Sequence, residues 1–190
     1  MTQDPYTDPS TGVLRNLLGI EDHETLIAAE RDIAFQREEG LRRRPMPGEF
    51  DAKHLLAYHR RLFGDVYEWA GQPRLVDIAR VDAPFAHWRY IDRCLADLFG
   101  GLRAEDLLID HRRPEFVARF TYYFAEINVV HPFREGNGRT QRAFFRHLAA
   151  HAGWELDITH LVGPDFVDGC KAGMVGELGL LTDLFDRAIG

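Results

Sequence analysis

The chain has 190 residues, a length that suits one globular domain with a single substantial core. Its formal net charge is -7, from 23 Lys and Arg against 30 Asp and Glu, which argues against a broad nucleic-acid-binding face. Residues 1–20 carry acids and prolines where a signal peptide would need a basic start and a continuous apolar run. Composition therefore predicts a cytoplasmic protein with no membrane segment and no direct nucleic-acid partner.

The first third of the chain predicts a lead-in followed by two helices. Residues 1–20, rich in Pro, Thr, Asp and Gly, should be extended and should dock on the body through four apolar side chains: Val13, Leu14, Leu17 and Leu18. Apolar residues at helical spacing predict a first helix over 24–39, stopped by Gly40. A second helix should be capped by Asp51 and end at Gly64.

The pattern then changes from helical spacing to alternation. The segment RLVDIARVDAPF, bounded by Gly71 and Pro84, predicts a short hairpin over 74–86 and the only β element of the chain. Four helical stretches should follow: 87–98, 114–131, 137–151 and a glycine-interrupted stretch over 164–189. The 114–131 stretch is apolar almost all round, which is typical of a helix at the centre of a domain.

The dozen residues HPFREGNGRTQR, at 131–142, carry most of the candidate chemistry. Pro132 disfavours the α conformation in the residue before it, so the central helix should end at His131. The imidazole is then held at the end of a rigid element. An ordinary imidazole accepts a proton at neutral pH, for example from a hydroxyl that is about to attack phosphorus.

The start of the next helix has the features of an anion site. Gly136 and Gly138 permit backbone conformations closed to other residues and a close approach of phosphate to the N–H groups at a helix start. Asn137 could cap that helix or donate from its side-chain amide. Arg139 and Arg142 are three residues apart on one helix face, and two guanidiniums aimed at one point favour a di- or triphosphate.

Glu135 is a carboxylate among groups that gather anions. Mg²⁺ resolves this conflict, because it is commonly held by one or two carboxylates together with phosphate oxygens and water. Two further arginines, Arg134 and Arg146, fit solvated or structural positions better than functional ones. His147 and His151 have the spacing of a zinc pair, but Leu148 stands where HExxH has glutamate, so a polar or core pair is the better interpretation.

The stretch HPFREGNGRTQR matches, at every defined position, the active-site motif HxFx(D/E)GNGRxxR of the Fic family. The resemblance extends through nearly the whole chain, since YTDPSTGVLRNLLGI is similar to the N-terminal segment of stand-alone Fic toxins. It implies a mainly α fold, a single Fic-type helical bundle over 1–190, with the 74–86 hairpin as a flap that binds an extended target segment backbone to backbone.

The resemblance also implies an activity, the transfer of AMP from Mg·ATP to a hydroxyl side chain of a target protein. His131 would be the base, Phe133 would anchor the loop, and Glu135 would hold Mg²⁺. The phosphate-binding residues it implies are Gly136, Asn137, Gly138, Arg139 and Arg142. The target-binding flap it implies consists of Val76, Asp77, Ile78, Ala79 and Arg80.

Two family variations bear on regulation and product. Relatives of the Doc type, which transfer phosphate, replace the second Gly-Arg region, whereas Gly138 and Arg139 are intact here, so AMP transfer is favoured. Many Fic proteins carry an inhibitory helix with the pattern [S/T]xxxE[G/N], which this sequence lacks. The chain thus resembles the class whose inhibitor is a separate small antitoxin that offers a glutamate to Arg142. Type II topoisomerase subunits, modified by some stand-alone relatives, are the first candidate targets.

Other functions stay open at this point. The same fold could transfer phosphate or phosphocholine, or remove AMP. A nucleotide-dependent binding protein without catalysis is a further alternative. Delivery of the protein into another cell is also compatible with the sequence.

Overall fold

The computed structural model describes residues 4–80 and 83–190; Val81 and Asp82 of the predicted hairpin lie outside the described residues. The described part is mainly α. Its helices are α1 His23–Arg43, α2 Ala52–Phe63, α3 Ile91–Ala104, α4 Arg113–Val130, α5 Asn137–His151, α6 Pro164–Gly173 and α7 Gly179–Ala188. Two antiparallel strands of two residues each, β1 Ala79–Arg80 and β2 Ala83–Pro84, lie within the predicted 74–86 hairpin.

Helix α4 occupies the centre of the domain, as its apolar sequence predicts. It packs against α3, α5, α6 and α7, while α2 packs against α1, α3 and α5. Its phenylalanines belong to a core of aromatic rings in edge contact, for example Phe120 and Phe124 with Phe145 at centroid distances of 5.1 and 5.0 Å. This core fixes the C-terminal end of α4 and the N-terminal end of α5, between which the active-site motif lies.

The predicted helix boundaries differ from the structure at both ends of the chain. The first helix continues through Gly40 to Arg43, because Leu41 is buried and Pro45, not the glycine, forces the chain out of the helix. The final stretch is two helices, α6 and α7, which pack against each other. Gly173 ends α6, Gly176 lies in the turn, and Gly179 begins α7. The sequence pattern did not resolve this stretch into two helices.

The lead-in docks with only part of its apolar side chains. Val13 is buried and Leu14 packs partly against the core, but Leu17 and Leu18 are exposed. The backbone of Leu17 donates to the carbonyl of Val66, so the segment is attached partly through main-chain bonds. No helix within residues 4–80 and 83–190 combines the length and apolar character needed to cross a bilayer.

Candidate active site

His131 is the C-cap residue of α4 and adopts a left-handed conformation, with φ 47° and ψ 64°. This conformation is rare for a residue with a side chain and redirects the chain at Pro132. The His131 ring stacks on Phe85, with 3.7 Å between ring centroids. Its Nδ1 lies 3.2 Å from the carbonyl oxygen of Asn128, and the tautomer that donates this bond carries its lone pair on Nε2.

The last four carbonyls of α4 would be unsatisfied in an isolated helix, and each has a partner here. Ile127 accepts from the backbone N–H of His131, and Asn128 accepts from its ring. Val129 accepts from the backbone N–H of Ala86, and Val130 accepts from the guanidinium of Arg74. The catalytic candidate, the hairpin and a buried arginine therefore terminate the helix together.

The loop after His131 is closed by Asn137 in a manner that the sequence did not reveal. The Asn137 side-chain oxygen accepts from the backbone N–H of Phe133, and its amide donates to the carbonyl of Phe133, at 2.9 and 2.8 Å. The N-cap residue of α5 is Gly136, with no side-chain cap. The Asn137 side chain therefore shapes the loop instead of capping the helix.

Gly136 is required by its surroundings as well as by its backbone. It has φ 80°, and a Cβ at this position would lie 2.4 Å from the Phe63 ring. Gly138 is less restricted, since a Cβ there would meet only Nη1 of Arg142, at 3.4 Å. That distance also places the Arg142 guanidinium beside the first turn of α5, where backbone N–H groups favour an anion.

A buried histidine of α2 supports the loop from beneath. His59 stacks on Phe133 with 3.8 Å between centroids, and its Nε2–H donates to the carbonyl of Glu135. The backbone N–H of Gly71 donates to His59 Nδ1, which fixes this tautomer. Burial lowers the pKa of His59 to about 3, so the ring is neutral at physiological pH. Phe133 itself is buried, in agreement with an anchoring position.

The two motif arginines have different surroundings. Arg139 pairs with the buried carboxylate of Glu30 in α1, lies over the Phe63 ring at 4.7 Å, and is 3.5 Å from Glu135. Glu30 also accepts from the hydroxyl of Tyr67. Arg139 is thus directed toward α1 and is not among the residues that line the cavity described below.

Arg142 makes no hydrogen bond or ion pair with the part of the chain that the structure describes. Burial lowers its pKa, and the carboxylate of Glu38 acts in the opposite direction. A partly buried guanidinium without a protein partner is a strong anion receptor.

Glu135 has a carboxylate that is compatible with a metal ligand. Its side chain is 45% exposed and lines the cavity. Oε1 accepts from the backbone N–H of Gly136 at 2.8 Å, while Oε2 accepts no hydrogen bond from residues 4–80 or 83–190. One available carboxylate oxygen beside a phosphate site suits Mg²⁺, which takes most of its ligands from phosphate and water.

A cavity of about 510 Å³ joins these groups, a volume in the range of small-molecule sites. Its polar lining comes from the loop and α5, including His131, Glu135, Gly138 and Arg142. Its apolar lining comes from the hairpin, from the segment leading into α6 and from the first turns of α6, and includes Ile78, Phe85, Leu161, Val162, Phe166 and Val167. The candidate base, the candidate metal ligand and three of the five predicted phosphate-binding residues, Asn137, Gly138 and Arg142, therefore face one space, whereas Gly136 and Arg139 do not line it.

The hairpin is held by hydrogen bonds between its legs and by hydrogen bonds to neighbouring residues. Ile78 and Ala79 line the cavity, whereas Asp77 is exposed and accepts from the backbone N–H of Trp88 at 2.9 Å. The main cross-hairpin support outside the two-residue strands is the bond from the Phe85 N–H to the Ile78 carbonyl, at 3.3 Å. Val76 contributes its carbonyl to Arg74, and the Arg80 backbone lies in β1.

Other polar groups from the sequence analysis have structural partners. Arg134 pairs with Asp4 of the lead-in, and Arg146 lies 3.9 Å from Glu38. His147 is half-buried and hydrogen-bonded to the Tyr58 hydroxyl, whereas His151 is exposed, and both rings lie 4.8 Å from the Phe50 ring. No cluster of three metal-ligating side chains occurs in the described ranges.

Three supporting residues were not predicted from the sequence: Glu30, His59 and Arg74. Two of them carried a signal. Glu30 lies four residues after the buried Leu26, and His59 lies four after Leu55, so each polar side chain occupies the core-facing side of its helix. Arg74 is the first residue of the predicted hairpin, and nothing in the local pattern predicts its burial.

Comparison with known proteins identifies the family. Residues 49–149 match the family described as Fic/DOC. The chain is 46% identical over 186 residues to the protein adenylyltransferase VbhT of Bartonella schoenbuchensis, covering 98% of this chain and 39% of that protein. It is 37% identical to the probable protein adenylyltransferase Fic of Salmonella typhimurium, covering 98% of this chain and 92% of that protein.

A solved structure gives the same result for the fold. The VirB-translocated effector protein BepC of Bartonella tribocorum, crystallised with AMPPNP, superimposes with a TM-score of 0.91 at 27% identity, covering 97% of this chain and 96% of that one. The helical fold, the intact motif and the family match together show that the chain belongs to the Fic/DOC family.

Proposed function

We propose that this protein is a protein adenylyltransferase that moves AMP from ATP to a hydroxyl side chain of a target protein. The observation that carries the proposal is that His131, Glu135, Gly138 and Arg142 line one cavity of nucleotide size. Similar proteins named adenylyltransferases, and a related structure with a bound ATP analogue, support the same activity.

The reaction follows from the arrangement of the loop. The target hydroxyl loses its proton to Nε2 of His131 as its oxygen forms a bond to the α-phosphorus, and the bond to the β-phosphate oxygen breaks. Pyrophosphate leaves with the electron pair. Arg142 and the N–H groups at the start of α5 stabilise the negative charge of the triphosphate in a site partly shielded from water.

Mg²⁺ would be held by Glu135, whose second carboxylate oxygen is available beside the phosphate site. The ion would neutralise phosphate charge. Glu135 also keeps a bond to the first backbone N–H of the α5 turn, which fixes the carboxylate relative to that site.

The apolar part of the cavity suits the nucleobase. Val162 and Val167 are 59% and 38% exposed although they are aliphatic; Val162 precedes α6, and Val167 and Phe166 lie in its first turns. Exposed aliphatic and aromatic surface in a concave site stabilises a flat heterocycle by burial. We therefore propose that the base binds at residues 161–167 and that the phosphates bind at the motif.

The hairpin is proposed to hold the target. Its exposed residues beside the cavity, Asp77 and Ala79, could pair with an extended target segment and deliver a hydroxyl to His131. Type II topoisomerase subunits are the first targets to assay. The transfer of AMP to the target would take place in the cytoplasm of the producing cell or of a recipient cell.

The test is incubation with a bacterial lysate and either α-labelled or γ-labelled ATP, comparing wild type with His131→Ala. Protein labelled only from the α position, and only by the wild type, is the expected result. Label from the γ position would identify phosphate transfer instead. Target binding that depends on ATP but leaves no covalent label would identify a nucleotide-dependent binding protein.

We propose further that a separate antitoxin inhibits the enzyme by offering a carboxylate to Arg142. This guanidinium has no partner in the described chain and lies where the cavity meets a second groove of about 1220 Å³ between α1 and α5. The rim of the groove carries Phe35, which is 64% exposed. A helical partner that covers Phe35 can bring a glutamate to Arg142 and exclude phosphate.

This partner hypothesis has its own test. The enzyme is purified alone and together with the product of the neighbouring reading frame, and self-labelling by α-labelled ATP is compared. Strong inhibition that Phe35→Asp relieves is expected, since Phe35 lies outside the nucleotide cavity. Equal labelling in the two samples would remove the hypothesis and leave the transfer activity unaffected.

A further inference from the structure

Arg74 is the most completely enclosed charged side chain described, with 0% of its side chain exposed. Its guanidinium donates to four carbonyl oxygens, those of Val76, Ala86, Val130 and His131. A buried cation needs such satisfaction, because an unpaired one would be costly. Two of the four acceptors lie at the C-terminal end of α4, and the other two lie on the hairpin.

Two of the acceptors belong to the turn that carries the catalytic candidate. Nε of Arg74 lies 2.9 Å from the His131 carbonyl, and Nη2 lies 3.2 Å from that of Val130. The backbone N–H of Arg74 donates to the Pro132 carbonyl at 2.8 Å. One residue therefore bonds to three successive carbonyls around the left-handed conformation of His131.

The other two acceptors lie on the two legs of the hairpin. Nη1 donates to Val76 on the first leg at 2.7 Å, and Nη2 donates to Ala86 on the second leg. The Asp77 carboxylate lies 3.8 Å from Nη1. Because β1 and β2 have only two residues each, the bonds from Arg74, at the start of the first leg, contribute much of what fixes the spacing of the legs.

We propose that Arg74 is a positioning residue that holds the hairpin and the His131 turn in one geometry, so that a target hydroxyl carried by the hairpin meets the imidazole. A planar guanidinium with five donors can join four acceptors rigidly, whereas a lysine ammonium cannot. The inference rests on the proposed function only in naming the hairpin as the target site. The structural coupling itself can be tested without any transfer reaction.

The variants are Arg74→Lys, Arg74→Ala and, as a matched control, Arg119→Lys. Arg119 lies within α4 and bonds to side chains, those of Glu105 and Tyr123, and it is not among the residues that line the cavity. Hydrogen exchange is measured on peptides covering 75–87 and 128–137. Arg74→Lys should raise exchange in both peptides together, while Arg119→Lys should change neither.

Transfer is measured under conditions in which each variant is folded, with ATP affinity determined separately by calorimetry. Arg74→Lys should label lysate proteins about 100-fold more slowly, because a misplacement on the order of 1 Å has such an effect, with ATP affinity changed less than about threefold. Guanidinium ion at millimolar concentration should restore part of the activity of Arg74→Ala, a rescue that a merely stabilising role would not give.

The outcomes separate the two proposals. Faster exchange in only one of the two segments, or transfer by Arg74→Lys within about threefold of wild type, would overturn the positioning role. A loss of transfer explained by a matching loss of ATP affinity would overturn it too. A wild type that labels nothing would instead refute the proposed function, while the exchange result still decides whether Arg74 couples the two segments.

Discussion

The active-site loop and the hairpin face the same cavity but are stabilised in opposite ways. The loop is closed from within, by Asn137 bonding to both backbone groups of Phe133, and is supported by the stacked ring of His59. The hairpin has two-residue strands and depends on Arg74 and on the end of α4. The proposed phosphate site thus lies on a region closed by its own Asn137 side chain, and the region proposed to meet target proteins takes much of its geometry from Arg74 and the end of α4.

The largest expected effect concerns the base. His131→Ala should lower transfer by about 1000-fold or more, since a positioned general base contributes roughly 10²–10⁴-fold. ATP affinity should stay within a few-fold of wild type, because the groups proposed to bind phosphate are at the start of α5 and in its first turns. Transfer from α-labelled ATP and calorimetric ATP binding check the two parts. Loss of ATP binding of the same size would mean that His131 holds the nucleotide instead.

A substitution at Gly136 tests how closely the loop packs against Phe63. Gly136→Ala puts a methyl group 2.4 Å from the Phe63 ring at a φ of 80°, which should destabilise the fold by about 2–4 kcal/mol. Gly138→Ala is the control, since its methyl group meets only the flexible end of Arg142 at 3.4 Å. Urea denaturation measures both variants. Equal destabilisation would show that the glycines are not distinguished by Phe63.

The two motif arginines sharpen the comparison within the loop. Arg139→Gln leaves the buried Glu30 without its cation and should cost about 2–4 kcal/mol of stability. Arg142→Gln removes no hydrogen bond or ion pair to the described residues, so it should leave the melting temperature nearly unchanged while weakening ATP binding about tenfold or more. Thermal unfolding and calorimetry on both variants provide the measurement. The reverse pattern would assign the phosphate site to Arg139.

Acid should weaken the loop through its buried support. Burial holds the pKa of His59 at about 3, below the ordinary 6.5, so between these values the unfolded chain binds a proton that the folded chain does not. The contribution of neutral His59 to the free energy of unfolding is therefore fully present above pH 6.5, and the free energy of unfolding falls by about 1.4 kcal/mol per pH unit below it. His147, with a pKa lowered by burial to about 4, acts in the same direction.

Urea denaturation of wild type and His59→Gln between pH 7.5 and 4.5 checks this expectation. The wild-type curve should be the steeper one below pH 6.5. Parallel curves for the two proteins would show that His59 takes up its proton in the folded state.

The smallest expected effect is in the hairpin. Asp77→Asn keeps an acceptor for the Trp88 N–H but removes the charge that faces Arg74 and His87. Transfer to a protein target should slow by about two- to fivefold, in line with a partly exposed ion pair of ~0.5 kcal/mol to 1 kcal/mol, and ATP binding should not change. Rates measured at several target concentrations check this. An altered ATP affinity would place Asp77 in the nucleotide site.

The parts of the fold that the sequence predicted are those with strong local signals. Helix α5 begins at Asn137 and ends at His151 as expected, and α4 ends before His131 because Pro132 dictates it. The two short strands and the turn between α6 and α7 depend on packing against distant residues, which local periodicity does not report. Prediction of these boundaries from spacing alone was correspondingly poor.

The same distinction applies to the site. The motif residues could be placed around one anion because they follow each other along one turn and one helix start. The direction of Arg139 could not, since it is set by Glu30, which lies 109 residues away in sequence. Arg74 is the extreme case, because its acceptors are all backbone carbonyls and no side-chain pattern marks them.

Arg142 lies at the boundary between the cavity and the neighbouring groove, and this shared position links two equilibria. A carboxylate arriving from the groove and a phosphate arriving in the cavity compete for one guanidinium. By thermodynamic linkage, if a bound inhibitor lowers the affinity for nucleotide by some factor, bound nucleotide lowers the affinity for the inhibitor by the same factor. An inhibitor bound there would be displaced more readily at a high ATP concentration than at a low one, so the amount of complex would depend on the ATP supply of the cell.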